Sequence, residues 1–420
     1  MKILPSKKIR GKINVPADKS ISHRSLILNG FAKGSSVIRN LLDSDDVRTS
    51  FSILSGMGVH FDGDFNTLRI KPVVRPGSGQ YDSGNSGTSI RLISGLVSGY
   101  KGEYEFSGDP SLSSRPMKRI SEPLTQMGGS FSWFDKEGFL PFGIRGSNVL
   151  NGIEFYNKKK SAQVKSAILL AGINASGETT VIEEVQSRDH TERMFKYMGA
   201  DIKTEQNRIT VKRSKLMGMD MLVPGDFSSA SFFLALGACH QNAELRISNV
   251  SLNPSRTAFF KLLKLMGAEV EIIDETDDIE PYGVISIRTS TLKAVEVPEE
   301  LIPNMIDEIP LVALLGCFAE GRTLVKHAAE LRVKESDRIA ILCKNMKKIG
   351  VEITERDDGF ELTGPQRIKG GIAESHQDHR MAMLFAICGL LSEDGVEVIN
   401  PECCSISFPT FFELIREITE

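Results

Sequence analysis

A repeat of about 70 residues runs along the sequence and limits the folds open to this chain more than any other feature. Six segments each begin with polar residues and continue as small or apolar residues toward a glycine. Successive starts are 67, 75, 66, 79 and 72 residues apart by subtraction. A capping residue followed at once by an apolar run is typical of a helix N-terminus. The six predicted helices are KSISHRSLILNGFAKG from Lys19, SGTSIRLISGLVSG from Ser86, SAQVKSAILLAG from Ser161, FSSASFFLALGA from Phe227, IDEIPLVALLGCFAEG from Ile306 and DHRMAMLFAICGLLSEDG from Asp378.

A second helix recurs between these segments, and five copies of it end in a glycine that runs into an alternating stretch. The glycine matches the left-handed residue that closes many helices, and the alternation after it predicts a strand. A sixth copy, FFELIREITE, stands at the end of the chain. The other five copies are SILSGMGVHF, PLTQMGGSFSW, MFKYMGADIK, LLKLMGAEVEI and NMKKIGVEIT.

Each repeat is long enough for a supersecondary unit of two helices and several strands, which predicts an α/β fold rather than a solenoid. A chain of 420 residues is also too long for one ordinary core, so the six units divide into two domains of three. The similar stretches VPADKS and VPGDFSS, at Val15 and Val223, are interpreted as the two domain entries, and the N-terminal strand then belongs with the C-terminal half. The predicted boundaries are residues 19–226 for an inserted domain and residues 1–18 with 227–420 for the other, with crossovers near Asp18 and Asp226.

Composition argues against several classes of partner. The chain carries 51 Lys and Arg against 54 Asp and Glu, a net charge of −3, so bulk attraction to nucleic acid or to an anionic membrane is not expected. The N-terminal MKILPSKKIRGKI lacks the apolar segment of a signal peptide, and no apolar run approaches about 18 residues. None of the six cysteines forms a Cys-x-x-Cys pair. These features predict a cytoplasmic protein.

Positive charge at the predicted helix starts is unusual. The helix dipole disfavours cations in the first turn, whereas the free backbone N–H groups there bind anions. Lys or Arg at these positions therefore indicates an anionic ligand, unless the side chains reach water or pair with a neighbour such as Asp18. The polar residues at the starts are Lys19, Ser20, Arg24, Asn85, Ser86, Thr88 and Arg91 (the last four around Gly87), Ser161, Gln163, Lys165, Asp307, Glu308, Asp378, His379 and Arg380.

Two other basic stretches point to the same kind of site. SLSSRPMKRI places Arg115 before a proline, which is a turn position. ELRVKESDRIAIL places Lys334 and Arg338 four residues apart, where two like charges on one helix face would repel each other unless an anion lay between them. A metal site at His376 and His379 is the weaker alternative, because no third ligand cluster accompanies them. The sequence contains no P-loop and no dinucleotide-binding glycine motif.

Taken together, VPADKSISHRS, GNSGTSIRLISG, SSRPMKR, SAQVKSA, RVKESDRI and DHRMAM resemble the motifs of the 5-enolpyruvylshikimate-3-phosphate (EPSP) synthase family, in order from about Lys12 to Phe412. The resemblance implies two globular domains, each of three βαβαββ units forming an inside-out α/β barrel, with the substrates in the interdomain cleft. It implies that the 5-hydroxyl of shikimate 3-phosphate attacks C2 of phosphoenolpyruvate, and that phosphate leaves from a tetrahedral intermediate. The resemblance implies that the enzyme needs no metal or other cofactor. It also implies that the enzyme is a monomer.

The resemblance also implies a role for individual residues. Asp307 would take the hydroxyl proton, while Glu335 and Lys19 would serve the methylene carbon. The residues expected to bind shikimate 3-phosphate are Lys19, Ser20, Arg24, Ser161, Gln163, Asp307 and Lys334. Those expected to bind phosphoenolpyruvate are Lys19, Gly87, Arg115, Gln163, Arg338 and Arg380.

Two positions depart from the pattern, and two other functions compete with it. Ile406 stands about where some members carry a lysine, and Glu330 stands where others have asparagine. The cell-wall enolpyruvyl transferases that act on UDP-N-acetylglucosamine are expected to show Lys-Asn early and usually a loop cysteine, whereas here Ser20 follows the lysine and no cysteine precedes Cys239. A non-enzymatic scaffold for acidic partners would scatter its cations over an outer face.

Overall fold

The computed structural model describes residues 1–158 and 161–419. The α-helices in this part of the chain are α1 Lys19–Asn29, α2 Asp45–Gly56, α3 Gly87–Ser98, α4 Pro110–Ser113, α5 Lys118–Gln126, α6 Ala162–Gly172, α7 His190–Tyr197, α8 Phe227–Cys239, α9 Ala258–Leu265, α10 Ile309–Phe318, α11 Arg338–Lys348, α12 His379–Leu391 and α13 Phe411–Ile418. Short 3-10 helices occupy Glu299–Asn304, Ala329–Val333 and Pro401–Ile406.

The strands are short, and most belong to sheets of three or four. They are β1 Lys2–Ile3, β2 Ile9–Asn14, β3 Ser36–Arg39, β4 His60–Gly63, β5 Thr67–Lys71, β6 Gly79–Asp82, β7 Gly102–Ser107, β8 Ser130–Trp133, β9 Phe142–Gly146, β10 Leu150–Asn151, β11 Glu154–Tyr156, β12 Ala175–Ser176, β13 Glu178–Ile182, β14 Ile202–Glu205, β15 Arg208–Lys212, β16 Met221–Leu222, β17 Ala243–Ser251, β18 Val270–Thr276, β19 Tyr282–Arg288, β20 Gly321–Val325, β21 Thr354–Arg356, β22 Gly359–Gly364, β23 Gly371–Glu374 and β24 Val396–Ile399.

The chain forms two compact units, one of Met1–Pro16 with Pro224–Glu420 and one of Ala17–Val223. We call the first the terminal unit and the second the inserted unit. The repeat in the sequence places the crossovers near Asp18 and Asp226.

The inserted unit repeats one βαβαββ module three times. In the middle copy, β6 and β7 are parallel and joined by α3, and after α5 the strands β8 and β9 complete the sheet in the order β6-β7-β9-β8. The third copy has the same order, β11-β13-β15-β14. The first copy takes its leading strand from the far end of the unit, because β16 pairs in parallel with β3.

Among the described residues, the terminal unit contains three sheets, and the N-terminal segment completes two of them. The strand β2 pairs in parallel with β17 in a sheet of order β18-β19-β17-β2. The strand β1 pairs antiparallel with β24 in the sheet β1-β24-β23. The third sheet has the order β20-β22-β21. The predicted α/β fold built from repeated units of helices and strands is therefore confirmed.

All six predicted helices of the first type are present, as α1, α3, α6, α8, α10 and α12. The fifth begins at Ile309 rather than at Ile306, since Pro310 lacks an N–H and fits only the first turn. The glycines that close the helices of the second type adopt the expected left-handed conformation, with φ from 83° to 106°, at Gly58, Gly128, Gly199, Gly267 and Gly350.

Burial explains why polar residues collect at the starts of the first-type helices. Every residue of α8 is buried, and in α12 all but the last are. A helix that is apolar on all sides must lie inside a core, so only its ends remain for polar side chains. Within residues 1–158 and 161–419, no helix has the length and apolar character needed to cross a membrane.

Candidate active site

In the inserted unit, the starts of α1, α3 and α6 carry the predicted ligand-binding residues. Asp18 caps α1 by accepting a hydrogen bond from the backbone N–H of Ile21 at 2.9 Å, and Ser86 caps α3 through the N–H of Ser89 at 3.3 Å. Ser161 precedes α6, but among the described residues its hydroxyl makes no capping hydrogen bond.

The lysine at the start of α1 is paired with a carboxylate that the sequence analysis did not single out. The Nζ atom of Lys19 lies 2.9 Å from Oδ2 of Asp46, a residue of α2. Lys19 thus has a partner other than its neighbour Asp18, which caps the helix. The nearby carboxylate offsets the unfavourable position of the lysine at a helix start.

The guanidinium of Arg24 is buried, with 3% of the residue exposed. Its Nε donates to Oγ1 of Thr191 at 2.8 Å, and its Nη2 donates to Oγ of Ser166 at 2.7 Å. Its Nη1 also donates to the carbonyl of Ser20 at 3.0 Å. Two hydroxyl partners from distant positions thus hold this side chain, and the sequence carried no signal for Thr191 apart from its polarity.

At the start of α3, Gly87 lies against two arginine side chains. A Cβ atom built on Gly87 would lie 2.8 Å from Nη1 of Arg91 and 3.5 Å from Nη1 of Arg115. Arg115 follows α4 in the predicted turn, where its Nη2 donates to Oδ1 of Asn85 at 2.5 Å. The missing side chain at Gly87 therefore leaves room for the guanidinium of Arg91.

Gln163 connects the starts of α3 and α6. Nη1 of Arg91 donates to its Oε1 at 2.6 Å, and its Nε2 donates to Oγ1 of Thr88 at 3.0 Å. Gln163, Gly87 and Arg115 are thus brought close together through Arg91, which the sequence analysis placed at a helix start without a role.

One basic residue at a helix start has a different environment. Lys165 is fully buried, and its Nζ lies 3.0 Å from Oε2 of Glu183 and 2.7 Å from Oε1 of Glu192. Burial opposes its charge, but Glu192 and Glu183 outweigh that effect and raise the pKa of Lys165 above its usual value. The general interpretation that a cation at a helix start indicates a ligand is wrong for this residue, because its charge is balanced inside the core.

In the terminal unit, three cations surround Asp307. Its Oδ1 lies 3.3 Å from Nη1 of Arg338 and 3.9 Å from Nζ of Lys334, and its Oδ2 lies 3.9 Å from Nη2 of Arg380. Opposite charges at such distances favour the ionised form of a carboxyl, which is the form a general base requires. Four of the predicted site residues therefore meet in this unit.

Arg338 is held by two further carboxylates. Its Nε donates to Oδ2 of Asp378 at 2.8 Å, and its Nη2 donates to Oε2 of Glu335 at 2.6 Å. Burial disfavours both charges of the Arg338–Asp378 pair, but their attraction outweighs this, so the pKa of Arg338 is raised and the pKa of Asp378 is lowered. Glu335 is thus fixed beside a guanidinium rather than pointing freely from a helix face.

The sequence predicted that Lys334 and Arg338, four residues apart, lie on one helix face. This prediction is wrong, because the two residues do not belong to the same helix. Lys334 caps the end of a 3-10 helix, and Asp337 begins α11 by accepting from the N–H of Ala340 at 3.1 Å. Burial lowers the pKa of Lys334, Arg338 lowers it further, and Asp307 and Glu330 offset part of the shift.

The alternative of a metal site at His376 and His379 finds no support among the described residues. Within the described part of the chain, no group of three or more His, Cys, Asp or Glu side chains is arranged to hold a metal ion. The Nε2 atom of His376 lies 3.6 Å from Oε2 of Glu374. Ile406 is partly buried against the core of the terminal unit.

Comparisons with known proteins agree on one family. A sequence model of EPSP synthase (3-phosphoshikimate 1-carboxyvinyltransferase) matches residues 3–415. A relative from Thermotoga neapolitana called 3-phosphoshikimate 1-carboxyvinyltransferase is 49% identical, over 100% of this chain and 99% of the relative. A protein of the same name from Petrotoga mobilis is 42% identical over the same shares of both chains.

Solved structures give the same result. The structure of EPSP synthase from Acinetobacter baumannii matches with a TM-score of 0.89 and 40% identity, over 100% of this chain and 98% of that one. The enolpyruvyl transferase NikO from Streptomyces tendae matches with a TM-score of 0.81 over 99% and 96% of the two chains. Its identity is 16%, so this second likeness concerns the fold alone.

Proposed function

This chain belongs to the EPSP synthase family, and we propose that the polar residues at its helix starts carry out that family's reaction. The enzyme transfers the enolpyruvyl group of phosphoenolpyruvate to the 5-hydroxyl of shikimate 3-phosphate and releases phosphate, a step in the biosynthesis of aromatic amino acids. The observation that best supports the residue assignments is the group of Lys334, Arg338 and Arg380 around Asp307.

The surplus of cations suits the charge of the substrates. The two substrates together carry two phosphates and two carboxylates, for which several Arg and Lys side chains are appropriate partners. In the inserted unit, we assign shikimate 3-phosphate to Lys19, Ser20, Arg24, Ser161 and Gln163, and phosphoenolpyruvate to Lys19, Gly87, Arg115 and Gln163. In the terminal unit, Asp307 and Lys334 serve the first substrate, and Arg338 and Arg380 serve the second.

We assign the acid–base roles from the resemblance to the family, and the ion pair at Asp307 supports the role of that residue. The oxygen of the 5-hydroxyl attacks C2 of phosphoenolpyruvate, and an ionised Asp307 accepts the proton that this hydroxyl loses. The methylene carbon of phosphoenolpyruvate is protonated at the same stage. We assign this proton transfer to Glu335 and Lys19. Because Glu335 is bonded to Arg338 at 2.6 Å, its carboxyl is held in one orientation but its acidic form is disfavoured. Lys19, which is paired with Asp46, is the second group that we assign to protonation of the methylene carbon.

A phosphate-release assay tests this function. With both substrates present, the protein should release one phosphate per enolpyruvyl group transferred, and removal of either substrate should abolish release. UDP-N-acetylglucosamine in place of shikimate 3-phosphate should be inactive. Phosphate release with UDP-N-acetylglucosamine but not with shikimate 3-phosphate would indicate a transferase of the cell-wall type. No release with either acceptor would favour the alternative of a non-enzymatic binding protein.

We also propose that the enzyme works in the cytoplasm as a monomer. All six cysteines are free thiols and all are buried, as expected in a reducing compartment. Light scattering coupled to size-exclusion chromatography should give a mass near 46.2 kDa, whereas a mass twice as large would contradict the monomer.

A further inference from the structure

A buried polar chain lies behind Arg380 in the terminal unit. Nη1 of Arg380 donates to Oγ of Ser228 at 2.6 Å, and the hydroxyl of Ser228 in turn donates to Oε1 of Glu308. Nη2 of Arg256 lies 3.7 Å from the same Glu308 oxygen. Ser228, Glu308 and Arg256, which we call the Ser228 relay, are each no more than 2% exposed.

The direction of these hydrogen bonds is fixed by chemistry. A guanidinium donates and cannot accept, so Ser228 must accept from Arg380. The single hydroxyl proton of Ser228 then points to Glu308, whose ionised carboxylate can only accept. Arg256 offsets part of the buried negative charge of Glu308, and its Nη2 also lies 3.5 Å from Oδ1 of Asp226. The relay therefore presents an acceptor to Arg380.

The relay also links three helix starts. Ser228 is the second residue of α8, Glu308 is the residue before α10, and Arg380 is the second residue of α12. A long arginine side chain has many rotamers, and a bond to one Nη atom removes most of them. With Nη1 held by Ser228, Nη2 of Arg380 lies 3.9 Å from Asp307, the assigned base.

We propose that Ser228 and Glu308 are positioning residues that hold the Arg380 guanidinium in the orientation in which it binds phosphoenolpyruvate. The proposal rests on the assignment of Arg380 to that substrate. Neither residue contacts substrate, and both act through Arg380. Loss of the relay therefore weakens phosphoenolpyruvate binding more than it weakens binding of shikimate 3-phosphate or turnover at saturation.

Steady-state kinetics of Ser228→Ala and Glu308→Gln test the proposal. Ser228→Ala should raise the KM for phosphoenolpyruvate about tenfold, the usual worth of one hydrogen bond to a charged group. The kcat value and the KM for shikimate 3-phosphate should stay within about twofold. Glu308→Gln should act in the same direction. Ser231→Ala is the matched control, because Ser231 is buried in the same helix and bonds only the carbonyl of Phe227, at 2.8 Å, among the contacts described.

Arg380→Ala separates failure of this proposal from failure of the site assignment. If Arg380→Ala leaves the KM for phosphoenolpyruvate unchanged, Arg380 does not bind that substrate, and the relay loses its role. If Arg380→Ala raises this KM while Ser228→Ala does not, the assignment stands and the positioning proposal is overturned. It is also overturned if Ser228→Ala has the same effect with and without Arg380, or raises both KM values equally. Should Ser228→Ala fail to fold, Ser228→Cys replaces it, since sulfur has a similar shape and is a weak acceptor.

Discussion

The Nη1 atom of Arg91 lies 2.8 Å from the place where a side chain on Gly87 would begin. Real Cβ atoms do not approach a heavy atom so closely, so a methyl group there would displace the end of the Arg91 side chain. Arg91 donates a hydrogen bond of 2.6 Å to Gln163, and Gln163 is assigned to both substrates. A small change at Gly87 thus reaches several assigned phosphoenolpyruvate contacts at once.

We expect glyphosate to inhibit this enzyme and Gly87→Ala to weaken the inhibition. The resemblance to the EPSP synthase family also implies that glyphosate occupies the phosphoenolpyruvate site. Glyphosate is longer than phosphoenolpyruvate, so added bulk at Gly87 should affect binding of glyphosate more. The inhibition constant, measured at fixed shikimate 3-phosphate, should rise at least about tenfold, or about 1.4 kcal/mol. Gly79→Ala is the control, because the nearest atom to a Cβ at residue 79 would be the hydroxyl oxygen of Tyr81, at 3.4 Å. Equal inhibition of Gly87→Ala and the natural enzyme would remove Gly87 from the site.

Asp307→Asn should abolish most turnover while leaving binding of shikimate 3-phosphate largely intact. Asparagine keeps the shape of the side chain but cannot take a proton, so kcat should fall about 10²- to 10⁴-fold. Calorimetric titration with shikimate 3-phosphate checks binding, and phosphate release checks turnover. Asp277→Asn, at an exposed position of the same unit, is the control. Near-normal turnover of Asp307→Asn would show that another group is the base.

Lys165→Met should destabilise the fold strongly. Loss of the ammonium would leave Glu183 and Glu192 buried without their countercharge, which typically lowers the free energy of unfolding by about 3–5 kcal/mol. Lys212→Met removes a comparable pair with Glu178 on the surface and should change little, because solvent screens that pair. Urea unfolding measures both variants. Equal stability of Lys165→Met and the natural protein would contradict the buried ion triad.

His23 should make the protein less stable as the pH falls from about 6.5 toward 3. Burial lowers the pKa of His23 from 6.5 to about 3, and Lys19 and Arg24 add to the shift although Asp46 opposes it. In this window the unfolded chain binds a proton that the folded chain excludes, so the free energy of unfolding falls with pH by as much as about 1.4 kcal/mol per unit. The effect is absent above pH 6.5, where the ring is neutral in both states.

The variant His23→Asn isolates this contribution. An asparagine amide can still meet the hydroxyl of Ser50, which lies 2.8 Å from Nδ1 of His23, but it does not titrate. Urea unfolding at pH 4, 5, 6 and 7 should show a shallower decline for the variant than for the natural protein. Parallel curves for the two proteins would mean that His23 can be protonated in the folded state.

The sequence by itself determined the repeating elements of this protein. Helix starts such as Asp18 with Lys19, and closing glycines such as Gly58 and Gly350, depend on backbone geometry within a few residues. Such local preferences are visible in one short stretch. For the same reason the six apolar helices, and the α/β fold made from their repetition, were predictable before any contact was known.

Only the tertiary structure decided which charged residues face each other. Lys165 and Arg24 stand at similar places near helix starts, yet the partners of Lys165 are buried carboxylates and those of Arg24 include the hydroxyls of Ser166 and Thr191. Thr191 is 167 residues from Arg24 along the chain. Electrostatic energy depends on distance in space and on burial, and neither is set by the local pattern that makes a helix.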